Sequence, residues 1–296
     1  MTTSTDTAPA AKKNGRAGRD VPLSIATAVV LVAVIAASLL FVKSLFIVLV
    51  IAAITLGVWE LRRGLKALDL DLPQLPIMVG GAAMIASAYI WGANALVTAT
   101  AMTALCTLLF LFRRGVEGYV RTATASIFTI IYLPFLASFV ALMLAEGGRL
   151  WATHPDLHDY GVRAVATFIA LVVASDVGGF VAGVLLGKHP MAPIISPKKS
   201  WEGFAGSAIA TFAAGIGLVV WLFDGHWYVG ALLGVIAVAM AVLGDLVESV
   251  IKRDLGVKDM SQIIPGHGGI MDRLDSLLAT VAPVWLVLHY WVLRGH

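Results

Sequence analysis

Residues 22–61 read PLSIATAVVLVAVIAASLLFVKSLFIVLVIAAITLGVWEL, with no charge except Lys43 before Glu60. A helix rises 1.5 Å per residue and the hydrocarbon core of a bilayer is about 30 Å thick, so a span needs about 20 mostly apolar residues. This stretch holds two such runs, 22–42 and 44–61, separated only by Lys43 and Ser44. The first is longer than the core of a signal peptide and the second follows at once, so both are read as anchored helices. Further runs at 75–92, 94–112, 126–146, 162–185, 204–223, 227–250 and 277–293 predict about nine transmembrane helices. The tight joins after the first and third predict helical hairpins.

Composition agrees. The 296 residues are 59% hydrophobic and only 13% charged, with a mean hydropathy of +0.90, whereas a soluble domain carries about 25% charged residues. A water-soluble globule is excluded, and the expected fold is an all-α, polytopic integral membrane protein. The net charge of +3 is spread over loops rather than gathered in a stripe, which argues against nucleic acid as a partner. Cys106 is the single cysteine and forms no internal disulfide. Residues 1–20, rich in Thr, Ala, Lys and Arg, are expected to form a disordered cytoplasmic tail. Residues 21–160 are expected to form an N-terminal group of helices, and residues 161–296 a C-terminal catalytic region.

Lys and Arg are retained on the cytoplasmic side of a membrane. With the tail inside, every Lys and Arg except Lys43, Arg149, Arg163 and Arg294 falls in an inside segment. The expected topology therefore has a cytoplasmic N-terminus and an outside C-terminus, and the polar motifs face the cytoplasm. No repeat of fixed period is present, which weakens a transporter built from inverted repeats.

An acid inside a span is costly and is rarely there without a partner or a task. Asp176 follows Ala174 and Ser175 in the sixth span; Asp245 and Glu248 lie toward the cytoplasmic end of the eighth. Asp176 reads either as a functional acid or as a structural hydrogen-bonding group, and Glu248 either as functional or as an interfacial residue. Asp245, Glu248, Ser249 and Lys252 share one helix face, which an intrahelical ion-pair ladder would also explain. The following stretch packs Lys252, Arg253, Asp254, Lys258, Asp259, Pro265, Gly266, His267, Gly268, Gly269, Asp272, Arg273 and Asp275 between two spans.

Each residue type there has a chemical use. Gly266, Gly268 and Gly269 allow close backbone approach, and exposed amides in such a turn accept phosphate oxygens. Asp272 and Asp275, with Asp245 from the neighbouring span, offer the oxygen ligands that Mg²⁺ takes while bridging carboxylates to substrate phosphates. Lys252, Arg253, Lys258 and Arg273 offer counter-charge to phosphate. Between spans six and seven, Ser196, Pro197, Lys198, Lys199, Ser200 and Trp201 suit an anionic headgroup, although topology marking explains the lysines equally well. Gly179 and Gly183, and Gly230 and Gly234, have the spacing of close helix packing, and Pro134 is expected to kink the fifth span. His154 and His158 lack the companions of a metal site, and no Walker loop is present.

The run from Ser249 to Asp275, with Ser-Val-Ile-Lys-Arg, Lys258-Asp259, Ile-Ile-Pro-Gly-His267-Gly-Gly and Asp272-Arg273-Leu-Asp275, resembles the signature of phosphatidate cytidylyltransferases, the CDP-diacylglycerol synthases. Gly244-Asp245, the segment Ser196 to Gly203 and the pair Ser175-Asp176 resemble the same family, so the likeness covers about the C-terminal 40% of the chain. It implies a multi-pass enzyme of the cytoplasmic membrane, acting in phospholipid biosynthesis, that joins CTP to phosphatidate with Mg²⁺ and releases pyrophosphate. Under that reading Asp245 and Asp272, then Asp176 and Asp275, are the expected metal ligands. Lys252, Arg253, Lys258, His267 and Arg273 are the expected catalytic charges. Ser196, Lys198, Lys199, Gly266, Gly268 and Gly269 are expected to hold substrate. A second, monovalent cation, a homodimer, and another lipid acceptor such as a polyprenyl or ether-linked phosphate stay open at this point, as does a related CTP-dependent lipid kinase. Transport of a phosphorylated anion is disfavoured because the acids gather at one end of a few spans.

Overall fold

The computed structural model describes residues 21–150, 159–263 and 268–293. The expectations for the tail, for His154 and His158, for Gly266 and His267, and for Arg294 fall outside those residues. The chain forms α1 (Val21–Phe41), α2 (Lys43–Lys66), α3 (Gln74–Trp91), α4 (Ala93–Phe112), α5 (Tyr119–Ile130), α6 (Leu136–Leu150) and α7 (Tyr160–Leu186). A short hairpin follows, β1 (Pro190–Ala192) and β2 (Ser196–Ser200), and then α8 (Trp201–Phe223), α9 (Trp227–Asp254) and α10 (Met271–Val287). Among the described residues, eight helical segments are long and apolar enough to cross a membrane, and Val29–Phe41 is a shorter apolar helix. The protein is an all-α, multi-pass membrane protein.

Several helices run beyond the apolar windows that predict them. Helix α2 continues past Arg62 and Arg63 to Lys66, α9 continues to Asp254, and α10 begins at Met271 rather than near 277. Hydropathy falls where charge begins, but backbone hydrogen bonding does not stop there, and polar last turns project beyond the hydrocarbon. The fifth span is one long segment, Tyr119–Glu146, in which Pro134 sits within a π-helical turn, Ile131–Phe135. The wider turn accommodates a residue that has no N–H to donate, which is how the helix passes the proline.

A continuous core joins both halves of the chain, from Leu39 and Phe46 through Met84, Leu133 and Met143 to Leu233, Met271 and Val292. The glycine pairs pack as their spacing predicts. A Cβ on Gly234 would lie 2.6 Å from the Thr211 carbonyl oxygen, and one on Gly230 would lie 2.4 Å from that of Gly215, both in α8. Gly234→Ala is therefore expected to force α8 and α9 apart and to cost about 1–3 kcal/mol, measurable as a lower thermal midpoint in detergent.

The two ends of the bundle differ. At one end Arg62 pairs with Asp71 at 2.6 Å, Arg114 reaches the Asp71 carbonyl at 2.7 Å, and Arg121 donates to the Leu68 carbonyl at 2.9 Å. The acids of α9 and α10 and Lys252 gather at this same end. At the other, Glu146 of α6 accepts from Trp285 Nε1 at 2.7 Å and lies 2.6 Å from His289 Nδ1, while Tyr160 donates to the Leu288 carbonyl at 2.8 Å.

Candidate functional site

Glycine at position 244 brings the acids together. A Cβ there would lie 2.5 Å from the Asp275 carbonyl oxygen and 2.7 Å from Ala279 Cβ, so the backbones of α9 and α10 approach closely at this level. Ser276 strengthens the crossing by donating to the Ala241 carbonyl at 3.2 Å. The result is a cluster in which Asp245, Glu248 and Asp275 each present an oxygen within 4.8 Å of the others. Glu248 is wholly buried. Apart from its ion pair with Lys252, its carboxylate accepts no hydrogen bond among the described residues.

Lys252 lies between acids of two helices, one turn beyond Glu248 and 2.9 Å from Asp272 Oδ1. Asp272 also accepts from the Gly269 N–H at 2.9 Å and the Met260 N–H at 3.2 Å. Asp272 thus faces Lys252 and the backbone of the signature loop, whereas Glu248 stands with Asp245 and Asp275. The sequence puts Asp245 and Asp272 foremost as metal ligands and reads Glu248 as functional or interfacial; by distance, Asp245 groups with Glu248 and Asp275. Periodicity puts Asp245 and Glu248 on one face, but which α10 acid meets that face depends on how the helices cross.

Beside the acids lies a cleft of about 220 Å³, walled by α7, α8, α9 and the hairpin. Asp176, Lys198, Lys199, Asp245 and Ser276 line it, with Phe180, Met191 and Phe204 as apolar wall. Lys199 at the end of β2 lies 2.6 Å from Asp245 Oδ2. Ser200 caps α8 by accepting from the Gly203 N–H at 3.1 Å, which fixes where β2 delivers its lysines. Ser207 donates to the Ser175 carbonyl at 2.6 Å and so locks α8 to α7 next to Asp176.

The remaining sequence candidates are placed as follows. Ser196 begins β2 opposite Ala192 and lies outside the cleft lining. Arg253 is exposed and donates to the Ile195 carbonyl at 3.4 Å, tying α9 to the hairpin. Lys258 is exposed. Arg273 lies on the first turn of α10, where its charge bears on Asp176. Gly268 has φ +85 and Gly269 packs against Glu60 and Asp272.

Sequence reasoning missed two residues from the N-terminal half. Glu60, near the end of α2, is fully buried and accepts from the N–H groups of Ile270 and Met271 at 2.9 and 2.8 Å. Its signal was present, an acid inside the predicted span 44–61. Tyr132, in the π-helical turn, is buried and its hydroxyl has no hydrogen-bond partner among the described residues. The charges of Glu248, Asp275 and Asp245 bear on it.

The donor set suits a divalent cation. Asp176, Asp245, Glu248, Asp272 and Asp275 outnumber Lys198, Lys199, Lys252 and Arg273, and an all-oxygen cluster beside a cleft is the chemistry that hard cations take.

Known proteins resemble the chain over nearly all of its length. The family model described as "Cytidylyltransferase family" matches residues 23–291. A Mycobacterium bovis protein named phosphatidate cytidylyltransferase is 38% identical over 94% of this chain and 91% of its own length. Its Mycobacterium leprae namesake is 38% identical over 94% of this chain and 90% of its own length. A more distant Haemophilus influenzae protein of the same name is 39% identical over 54% of this chain and 55% of its own length. The match extends through α1 to α6, well beyond the signature, and the chain belongs to the cytidylyltransferase family.

Proposed function

We propose that this protein is a phosphatidate cytidylyltransferase, which transfers the cytidylyl group of CTP to phosphatidate and yields CDP-diacylglycerol and pyrophosphate for phospholipid synthesis. The observation that carries this reading is an acid cluster and paired lysines beside a cleft with one polar and one apolar wall, in a chain of this family. One substrate is a soluble polyanion and the other a lipid with a phosphate head, so the site belongs at a membrane surface. The excess of Lys and Arg at that end supports the cytoplasmic face of the plasma membrane.

In the reaction a phosphate oxygen of phosphatidate attacks the α-phosphorus of CTP. A new P–O bond forms, the bond to the β-phosphate oxygen breaks, and pyrophosphate carries away the negative charge. Such transfer depends on positioning and on charge stabilisation, and needs no covalent intermediate with the enzyme. Asp245, Glu248 and Asp275 would hold Mg²⁺, which supplies counter-charge to the phosphate oxygens when bound. Lys198 and Lys199 approach the headgroup from the hairpin. Lys199, which pairs with Asp245, would be released to hold a phosphate oxygen if that acid held the cation. Lys252 fixes Asp272 and Glu248, and Arg273 extends positive charge toward Asp176. Phe180, Met191 and Phe204 suit the glycerol and first acyl carbons of the lipid.

The acceptor is tested by CTP-dependent pyrophosphate release from purified protein supplied with phosphatidate, a polyprenyl phosphate or a polyprenol. Release with phosphatidate alone is expected. Release only with a polyprenyl acceptor, or formation of CDP and a phosphorylated polyprenol, would replace this reading with that of a related lipid enzyme.

A further inference from the structure

Helix α10 begins without a side-chain cap of its own. Its N-cap position is Ile270, which has no oxygen to offer, and no side-chain cap bond is made there. The first amides of a helix need acceptors, and buried ones are costly to leave unpaired. Here the acceptor comes from Glu60 of α2, far away in sequence. Its Oε1 takes the Ile270 N–H at 2.9 Å and its Oε2 the Met271 N–H at 2.8 Å. Ser261 donates its hydroxyl to the same carboxylate. Glu60 is fully buried, and no Lys, Arg or His lies within ion-pair distance of it among the described residues. Its charge is met by the positive end of α10 and by the Ser261 hydroxyl. The fit is close, since a Cβ on Gly269 would lie 2.8 Å from Glu60 Oε2.

We propose that Glu60 is a positioning residue for the transfer reaction, holding Ser261, Ile270 and Met271 at the start of α10 so that Asp272 and Asp275 keep their places. The two carboxylates divide the work. Asp272 holds Gly269 and Met260 from within the signature, and Glu60 holds Ile270, Met271 and Ser261 from the N-terminal half. Helix α2 thereby becomes part of the catalytic apparatus rather than an anchor. The effect on turnover rests on the activity proposed above; the effect on the loop does not.

The test is Glu60→Gln, which keeps the volume and one acceptor oxygen but turns an amide NH₂ toward a donor, with Glu60→Leu as the stronger variant. Each is purified in detergent, and only monodisperse protein is assayed. Two readouts are taken: kcat and KM for CTP and phosphatidate, and hydrogen–deuterium exchange of the peptides spanning 258–275. A positioning role predicts a fall in kcat of about 10- to 100-fold in Glu60→Gln, as for other groups that orient ligating carboxylates, with KM for CTP changed less than threefold. It also predicts faster exchange confined to 258–275, larger in Glu60→Leu. Unchanged kcat per folded molecule in Glu60→Gln, or loss of activity only in proportion to loss of folded protein with exchange at 258–275 as in the wild type, would overturn it. Absence of cytidylyl transfer in the wild type would instead sink the functional reading, and the exchange result would still decide whether Glu60 holds the loop.

Discussion

Asp245→Ala is expected to reduce cytidylyl transfer by about 10³-fold while the protein still inserts and purifies as a folded species. The size follows from removing one electrostatic contact to the reacting phosphates in a partly enclosed site. Asp245 belongs to the three-acid cluster and is also the partner of Lys199 at 2.6 Å. Its loss therefore removes one acid of the proposed cation site and releases the lysine. Its side chain is 37% exposed, so the fold does not depend on it as it does on Glu248. The check is transfer at saturating CTP and Mg²⁺ beside the thermal midpoint in detergent. Activity within tenfold of wild type would remove Asp245 from the site.

Lys252→Met is the second large effect, and it acts on stability as well as on rate. Lys252 is 17% exposed, between Glu248 at 0% and Asp272 at 9%, and removing one partner of a buried ion pair leaves uncompensated charge at a cost of about 3–5 kcal/mol. A marked drop in thermal midpoint is expected together with loss of transfer. Adding Glu248→Gln removes the stranded charge, so the double variant should regain much of the stability but none of the activity. Equal stability of Lys252→Met and wild type would show that the triad contributes nothing to the fold.

Much of the fold was legible because a bilayer makes simple demands. Apolar runs near the required length place the helices to within a few residues at most ends, and the small-residue pairs Gly230 and Gly234 lie where α8 and α9 meet. The ends that differed most, at Tyr119, Met271, Lys66 and Asp254, carry polar or charged turns, which a hydropathy window does not register. The Pro190–Ala192 and Ser196–Ser200 strands are not legible in the sequence, as stretches of three and five residues carry too little alternation to read.

The candidate site was legible in its membership and less so in its pairings. The density of charge after Ser249 identifies the segment, and period 3.6 puts Asp245, Glu248 and Lys252 on one face. No pattern along one chain says that Asp272 turns to Lys252 and the Gly269 amide while Asp275 joins Asp245, since that depends on the contact at Gly244. Glu60 shows the limit most clearly. An acid inside the span 44–61 marks it as unusual, but nothing around it in the sequence points to an amide at position 271.

The account's central claim is tested most directly by supplying detergent-purified protein with α-labelled CTP, phosphatidate and Mg²⁺ and following label into lipid and pyrophosphate into solution. Labelled CDP-diacylglycerol equal in amount to pyrophosphate, abolished by EDTA, restored by excess Mg²⁺ and lost in Asp275→Asn, is the predicted result. Transfer that persists in EDTA or in Asp275→Asn would contradict the acid cluster as the cation site, and a folded protein that labels no phosphatidate at all would contradict the proposed reaction.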